Sequence, residues 1–295
     1  MKYAFFPGCS MESTAEDFKM STTAVAKALG IELEEIPDWT CCGSTPAHAT
    51  DPFLAASLPA RNLAAAESMG MDVVTCCAAC YSRLAAANLA VKDDADMRSQ
   101  VAEAIGGDYA GDVKVRHFLQ VLDEDLGISA IKDVLADGPG LRSRTTGGLK
   151  VACYYGCLLT RPKELSILPD SEDPQLMEGI LSAAGADCIE WPFKTECCGA
   201  SFSITRTDTV KRLSGEILRM AKDSGADCIA VACPLCQTNL DLRQSDIEAA
   251  TGEKIGLPVF YFTQLLGHAM GISDRELGID RLMTDPTKVL ARLDR

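Results

Sequence analysis

Long apolar runs and basic residues are both scarce in this chain of 295 residues. No stretch approaches the roughly 20 apolar residues that a membrane-spanning helix needs, so we expect no direct membrane span and membrane contact only through a partner. Lysine and arginine number 28 against 42 aspartates and glutamates, which gives a net charge of −14. Such a chain lacks the basic surface that phosphates require, and this argues against nucleic acid as a partner.

We also expect no signal peptide. The apolar run before Cys9 is too short for one, and disulfide-rich scaffolds are usually short secreted chains. We therefore expect the 14 cysteines to be reduced thiols in the cytoplasm. Their number makes a metal centre the leading interpretation.

Ten of the cysteines form one pattern that occurs twice: a cysteine after glycine, then a Cys-Cys-Gly triplet, then Cys-x-x-Cys. The first copy contains Cys9, Cys41, Cys42, Cys77 and Cys80, and the second contains Cys157, Cys197, Cys198, Cys233 and Cys236. The same step of 35 positions separates Cys42 from Cys77 and Cys198 from Cys233. Five thiols exceed the four ligands of a structural zinc site, and crowded thiolates select zinc or iron–sulfur clusters.

Short β-like segments alternate with helical ones in the same order in both halves. This alternation predicts parallel βαβ units, whose carboxyl strand ends form a ligand crevice, and the repeated cysteines stand at those ends. The predicted fold is α/β, with two similar duplicated βαβ-type domains related by pseudo-twofold symmetry. Residues 1–137 form the first domain, 138–149 a linker around Gly138-Pro139-Gly140, and 150–295 the second domain with a C-terminal helical tail.

On these cysteines the chain resembles the family of heterodisulfide reductase B subunits, whose duplicated cysteine-rich CCG domain would span almost the whole length. The resemblance implies a noncubane 4Fe–4S cluster in each half, ligated by the five cysteines of that copy. Two closed zinc sites, or one zinc and one cluster, remain as alternatives.

Four cysteines lie outside the pattern. Cys76 competes with Cys77, which is preferred because Cys77 to Cys80 then matches Cys233 to Cys236. Cys153 competes with Cys157, which alone shares the preceding glycine with Cys9. Cys188 and Cys228 are interpreted as buried apolar side chains, a common environment for free cysteine.

Only three histidines are present, and any of them could donate a proton to a leaving thiolate. His48 is the candidate catalytic residue because it closely follows Cys41-Cys42-Gly43. His117 and His268 are better explained by capping or packing.

An anionic substrate of an acidic protein needs local positive charge. The candidate substrate-binding residues are cations near the second set of cysteines in the sequence, namely Arg161, Lys163, Lys194 and Arg206. Arg83, just past Cys80, has the same standing. Gly43 and Gly199 are expected to let the backbone approach a bulky cluster and to take left-handed dihedrals in a tight turn, because glycine lacks a Cβ atom.

The resemblance implies a catalytic subunit that reduces a small disulfide of the coenzyme M–coenzyme B type to two thiols. Its partners in heterodisulfide reductase would be the iron–sulfur C subunit, which supplies electrons, and the flavin-bearing A subunit. The absence of a ferredoxin-type Cys-x-x-Cys-x-x-Cys run favours a separate electron donor. The alternatives are an electron-transfer subunit of a lactate-, glycolate- or succinate-oxidising complex, and a reductase of a different disulfide in a non-methanogen.

Overall fold

The computed structural model describes residues 1–136, 142–143 and 147–293. The first half contains the elements β1 (Lys2–Phe5), α1 (Gly8–Met11), α2 (Glu16–Ala28), β2 (Glu32–Glu35), α3 (Ser44–Thr50), α4 (Pro52–Ser68), β3 (Val73–Thr75), α5 (Ala78–Asp93), α6 (Ala95–Ile105), β4 (Val115–His117), α7 (Phe118–Gln120), a π-helical turn (Val121–Leu126) and α8 (Ile128–Leu135). The predicted linker motif Gly138-Pro139-Gly140 lies outside the described residues.

A short antiparallel pair, β5 (Arg142–Ser143) and β6 (Gly147–Gly148), leads into the second half. That half contains β7 (Lys150–Tyr154), a 3-10 turn (Lys163–Leu165), α9 (Leu176–Ala183), β8 (Asp187–Cys188), a 3-10 turn (Ala200–Phe202), α10 (Thr207–Asp223), β9 (Cys228–Val231), α11 (Pro234–Leu240), α12 (Gln244–Thr251), β10 (Val259–Tyr261), α13 (Phe262–Ala269), a 3-10 turn (Ile279–Arg281) and α14 (Thr287–Leu293).

Each half is built on a four-stranded parallel sheet. The strand order is β2-β1-β3-β4 in the first sheet and β8-β7-β9-β10 in the second. The central strands β3 and β9 are fully buried, as apolar strands between helical layers should be. The predicted α/β class and the duplication are therefore confirmed.

Helices of the two halves pack against each other, and the halves share one hydrophobic core. Helix α13 of the second half packs against α2 of the first, and α8 of the first packs against α9 of the second. Phe18 stacks on Tyr261 with ring centroids 3.9 Å apart, and the Ser21 and Thr263 hydroxyl oxygens lie 2.7 Å apart. These contacts between the halves hold the two sheets in a fixed position relative to each other.

The predicted domain boundaries at 137, 149 and 295 stay predictions. Residue 137 and the last two residues lie outside the described part of the chain. No helix within the described ranges is both long and apolar enough to cross a membrane.

Candidate metal centres

The repeated cysteines gather where the parallel strands end. Cys9 follows β1 within α1, and Cys77 follows β3 as the N-cap of α5. Cys157 follows β7 in a bend outside any helix, and Cys233 follows β9 as the N-cap of α11. Because the carboxyl ends of parallel strands meet at one edge of a sheet, the fold brings each set together.

The first set combines buried and accessible thiols. Cys42, Cys77 and Cys80 are buried, whereas Cys9 and Cys41 are exposed. The Cys42 and Cys80 sulfurs lie 3.6 Å apart, well beyond the ~2.05 Å of a disulfide bond. The set is therefore a group of free thiols that opens to solvent on one side.

The second set repeats this arrangement. Cys198, Cys233 and Cys236 are buried, Cys157 is half-buried and Cys197 is exposed. The sulfurs of Cys198 and Cys236 are 3.5 Å apart, and those of Cys157 and Cys197 are 4.0 Å apart. Both halves thus pair the second cysteine of the Cys-Cys-Gly triplet with the last cysteine of Cys-x-x-Cys.

Within each set, one thiol of a neighbouring pair has a lowered pKa and the other has a raised pKa. The Cys41 thiol, with help from Cys80, lowers the pKa of Cys42 to about 3, and the same contact raises the pKa of Cys41. In the second half the Cys157 thiol lowers the pKa of Cys197 to about 6. Thiolate is the form that binds metal, so each set already stabilises part of the charge that a metal ligand needs.

The two sets meet at a pseudo-twofold axis. Cys77 and Cys233 occupy equivalent positions, and each thiol shifts the pKa of the other across the halves: Cys233 raises the pKa of Cys77, and Cys77 helps to lower that of Cys233. Thr45 and Ser201 are also equivalent, two residues after Gly43 and Gly199, and their hydroxyl oxygens lie 3.1 Å apart. These two contacts place one thiol set on each side of the axis.

Two glycines make room for the sulfurs. A Cβ atom on Gly8 would lie 2.7 Å from the Cys80 sulfur, and one on Gly156 would lie 3.1 Å from the Cys236 sulfur. Both residues also have positive φ angles, +71° and +68°, which glycine adopts without strain. The glycine before the lone cysteine therefore has a steric reason that the sequence pattern alone did not provide.

The glycines after the Cys-Cys pairs have the left-handed backbone that was predicted for them. Gly43 and Gly199 do have positive φ, +81° and +80°. However, a Cβ atom on Gly43 would meet Ala47 at 2.7 Å, and one on Gly199 would meet Val210 at 3.3 Å. These contacts are to helices α3 and α10, and the close approach of this backbone to a metal centre stays a prediction.

The cysteines outside the pattern point elsewhere. The Cys76 sulfur accepts a hydrogen bond from the Thr22 hydroxyl at 3.5 Å, and burial raises its pKa to about 12. The Cys153 sulfur lies 3.9 Å from that of Cys188 on the neighbouring strand, and Cys228 is buried on β9. The geometry thus directs Cys77 and Cys157 toward the repeated sets.

The donor chemistry of each set fits an iron–sulfur cluster. Each set contains five free thiols, three of them buried, and one of the buried sulfurs packs against Gly8 or Gly156, which has no side chain. Soft thiolates are the usual ligands of such clusters, commonly four per cluster, and each set has one more. Within the described ranges, no three His, Cys, Asp or Glu side chains have the arrangement that holds a single metal ion.

The three histidines occupy different environments. His48 is exposed on α3, one turn after Thr45. His117 is completely buried, accepts a hydrogen bond from the Leu119 amide, and lies 2.8 Å from the Cys76 carbonyl through Nε2. Burial lowers the pKa of His117 to about 4, so it is neutral and caps α7. His268 lies on α13, 2.9 Å from the Asp274 carboxylate, remote from both thiol sets in sequence and paired locally.

Three predicted substrate-binding cations lie on the surface near the second set. Arg161, Lys163 and Arg206 are exposed. Arg161 forms a long ion pair with the exposed Glu172 at 3.5 Å, and Arg206 is the N-cap residue of α10. Charges of this kind can reach an incoming anion.

Lys194 lies in an internal ion-pair cluster instead. Its ammonium nitrogen is 2.8 Å from Asp173, 3.2 Å from Glu178 and 3.3 Å from Glu190, and only 4% of its side chain is exposed. Burial lowers its pKa, but the bonds to Asp173 and Glu178 outweigh this and leave the pKa raised. Its backbone carbonyl accepts from Tyr155 and Gly156, so Lys194 supports the loop before Cys157 rather than facing a substrate.

We expect Lys194→Met to lower the free energy of unfolding by about 3 kcal/mol, because the buried Glu178 carboxylate then loses its ion-pair partner and is left with the hydrogen bond from the Tyr155 hydroxyl. The pKa of Lys194 is raised, so its contribution is complete below the ordinary lysine pKa of 10.5 and is lost only as the pH rises further. Urea unfolding at pH 7 measures the difference. Lys92→Met, which breaks an exposed pair with Asp112, should cost at most about 0.5 kcal/mol, and equal losses in both variants would contradict the assignment.

Comparison with known proteins supports this interpretation of the cysteines. The CCG cysteine-rich domain model matches residues 3–85 and 151–241, which include all ten repeated cysteines. The 8-methylmenaquinol:fumarate reductase membrane anchor subunit of Wolinella succinogenes is 33% identical over 98% of this chain and 99% of its own length. The B subunit of the ferredoxin/F(420)H(2)-dependent CoB-CoM heterodisulfide reductase of Methanosarcina acetivorans is 30% identical over 99% of this chain and 97% of its own.

A solved structure has a similar fold. A hypothetical protein from Helicobacter pylori matches with a TM-score of 0.74 at 12% identity. The match covers 96% of this chain, which spans about half (52%) of that protein.

Proposed function

The chain belongs to the cysteine-rich CCG domain family that includes the heterodisulfide reductase B subunits, and from this premise we propose that it is the catalytic subunit of a disulfide reductase. One observation carries the proposal. Two equivalent thiol sets flank an axis at which the equivalent hydroxyls of Thr45 and Ser201 lie 3.1 Å apart. Two such sites could each bind one of the two sulfurs that cleavage of a disulfide releases.

The ten repeated cysteines would hold two noncubane 4Fe–4S clusters, one per half. Cys9, Cys41, Cys42, Cys77 and Cys80 would bind the first, and Cys157, Cys197, Cys198, Cys233 and Cys236 the second. When bound, such clusters supply one-electron chemistry. The accessible cysteines of each set, such as Cys41 and Cys197, leave one side open to a substrate.

The substrate would be a small mixed disulfide of the coenzyme M–coenzyme B type. Cleaving its S–S bond consumes two electrons and two protons and releases two thiols. Lying across the axis, the disulfide would present one sulfur to each thiol set, and holding both reacting ends in place is a general source of rate.

One proton would come from His48. This residue is exposed on α3, near the Thr45–Ser201 contact at the axis, and an imidazole can donate a proton to a leaving thiolate. Its counterpart region around Ser201 has no histidine, so proton delivery would be one-sided.

The electrons would come from partner proteins. The separate iron–sulfur C subunit of a heterodisulfide reductase would donate them, and the flavin-containing A subunit would supply that donor. The chain itself has no ferredoxin-type cysteine run. Its cytoplasmic location is part of the same proposal.

A second function is favoured by the relative from Wolinella. A 33% identical protein of nearly the same length is part of an 8-methylmenaquinol:fumarate reductase. In this alternative the two centres would relay electrons between a partner and a quinone or dicarboxylate enzyme, and no disulfide would be cut.

The proposal is tested with anaerobically purified, iron-loaded protein and reduced methyl viologen as the electron donor. Addition of coenzyme M–coenzyme B disulfide should release two thiols per disulfide consumed. Protein from which the iron has been removed is the matched control and should release none. Donor oxidation without thiol release, or no reaction in the loaded protein, would overturn the disulfide reductase assignment.

A further inference from the structure

The duplication places two different residues at one equivalent position. Arg83 lies three residues after Cys80 on α5, and Asn239 lies three residues after Cys236 on α11. Because the two Cys-x-x-Cys motifs begin their helices in the same way, both side chains are directed toward the second cysteine of the Cys-Cys-Gly triplet. The chain therefore contains an internal comparison of what this position does.

In the second half this position has a structural role. The Asn239 amide nitrogen donates to the Cys198 carbonyl at 3.2 Å and lies 3.7 Å from the Cys198 sulfur. Its carbonyl oxygen accepts from Ser203 at 3.0 Å and from Arg243 at 3.2 Å. Asn239 is thus occupied at both ends and fixes the loop that carries Cys197 and Cys198.

In the first half the position carries an unpaired cation. The Arg83 Nε atom is buried and has no hydrogen-bond partner. Across the described ranges its guanidinium group makes neither a hydrogen bond nor an ion pair with another side chain. An N–H donor buried without a partner is costly, and this points to a partner that binds from outside.

Arg83 also lies at the boundary between the two thiol sets. Its positive charge acts on Cys42 of the first set and on Cys157 of the second. Its helix α5 packs against the Lys163–Leu165 turn of the second half, which follows Cys157. The cation therefore lies between the two thiol sets.

We propose that Arg83 binds the oxyanion, a carboxylate or sulfonate, of one half of the disulfide substrate and so determines which end faces which centre. The guanidinium plane carries N–H donors in a fork that matches two anionic oxygens. Asn239 cannot take this role on the other side because its amide is already bonded. The site is thus asymmetric, as recognition of a disulfide joining two different thiols requires, and the inference rests on the proposed function.

The kinetic test compares Arg83→Gln, Arg83→Lys and the wild type on two disulfides of similar size. These are 3,3′-dithiodipropionate, which carries carboxylates, and bis(2-hydroxyethyl) disulfide, which is neutral. We expect Arg83→Gln to raise KM for the carboxylate substrate about 10- to 100-fold, the usual weight of a charge-assisted hydrogen bond. KM for the neutral disulfide and both kcat values should change less than about twofold, and Arg83→Lys should recover part of the loss because it keeps the charge.

Arg212→Gln is the control for a general change in charge, because Arg212 is 63% exposed and pairs only with Glu216 on its own helix within the described residues. It should leave both KM values unchanged. An equal KM increase for both disulfides in Arg83→Gln, or a loss of iron from that variant, would assign Arg83 to the framework of the metal centre and overturn the proposal.

A binding measurement separates this inference from the proposed function. Calorimetric titration of the iron-loaded protein with 3-mercaptopropionate should show binding to the wild type and about 10-fold or greater weakening in Arg83→Gln. If the wild type binds this anion through Arg83 but reduces neither disulfide, the reductase function fails and the anion site stands. Equal affinity in wild type and variant would refute the anion site whatever the activity.

Discussion

Replacing Cys77 by serine should remove about half of the bound iron, whereas the same change at Cys76 should leave the iron content unchanged. Cys77 interacts with Cys80 and with Cys233 across the axis, but the Cys76 sulfur faces the Thr22 hydroxyl in the core. A serine hydroxyl is a poor substitute for a soft thiolate ligand. Iron and acid-labile sulfide per chain, measured after anaerobic purification, report the result.

The two variants control each other because the residues are adjacent, buried and changed identically. Far-ultraviolet circular dichroism shows whether both remain folded. Iron loss in Cys76→Ser with retention in Cys77→Ser would assign the ligand role to Cys76. Loss of all iron in Cys77→Ser would show that the two centres are not independent.

Gly8→Ala should destabilise the protein and lower its iron content. The new methyl group would lie 2.7 Å from the Cys80 sulfur, and the backbone at this position has a φ of +71°. An alanine with positive φ costs about 1 kcal/mol, and forcing a buried sulfur aside adds about 1–3 kcal/mol. Urea unfolding and iron analysis of the purified variant measure both effects.

Gly30→Ala separates the two causes. Gly30 has nearly the same φ, +69°, but nothing lies within 4 Å of the added Cβ atom. This variant should lose only the backbone contribution of about 1 kcal/mol and keep its iron. Equal stability and iron content in Gly8→Ala and Gly30→Ala would refute the steric role of Gly8.

The sheets could be predicted from the sequence because local signals determine them. The buried strands β1, β3, β7 and β9 are short apolar runs, each followed by a repeated cysteine, and glycine ends helices such as α2 and α10. The same order in both halves then requires the same connectivity, which the strand orders confirm. Grouping of the cysteines at the strand ends follows from parallel topology alone.

The packing of helices from one half against the other could not be predicted from such local signals. It depends on contacts between residues more than 200 positions apart, such as Phe18 with Tyr261 and Ser21 with Thr263. Apolar patterning shows that α2 has a buried face but not which helix covers it. For the same reason, no local pattern indicates that the two halves share one core.

The direction in which side chains point was the other feature that could not be predicted from the sequence. Lys194 precedes the second Cys-Cys pair and looks like a substrate cation, yet Asp173, Glu178 and Glu190 already surround its ammonium group. The sequence pattern includes Gly8 and Gly156 but gives no reason for them. The structure supplies the reason, because a Cβ atom at either position would crowd the sulfur of Cys80 or Cys236. Proximity along a chain says which residues are near a motif, but not whether they face it.

The account depends most on two equivalent five-thiol iron–sulfur centres. The direct measurement is iron, acid-labile sulfide and zinc per chain in protein purified without oxygen. We predict about eight irons with a similar amount of sulfide and little zinc, as expected for two 4Fe–4S clusters. About two zinc ions per chain with no sulfide would instead indicate two closed thiolate zinc sites and would contradict the account.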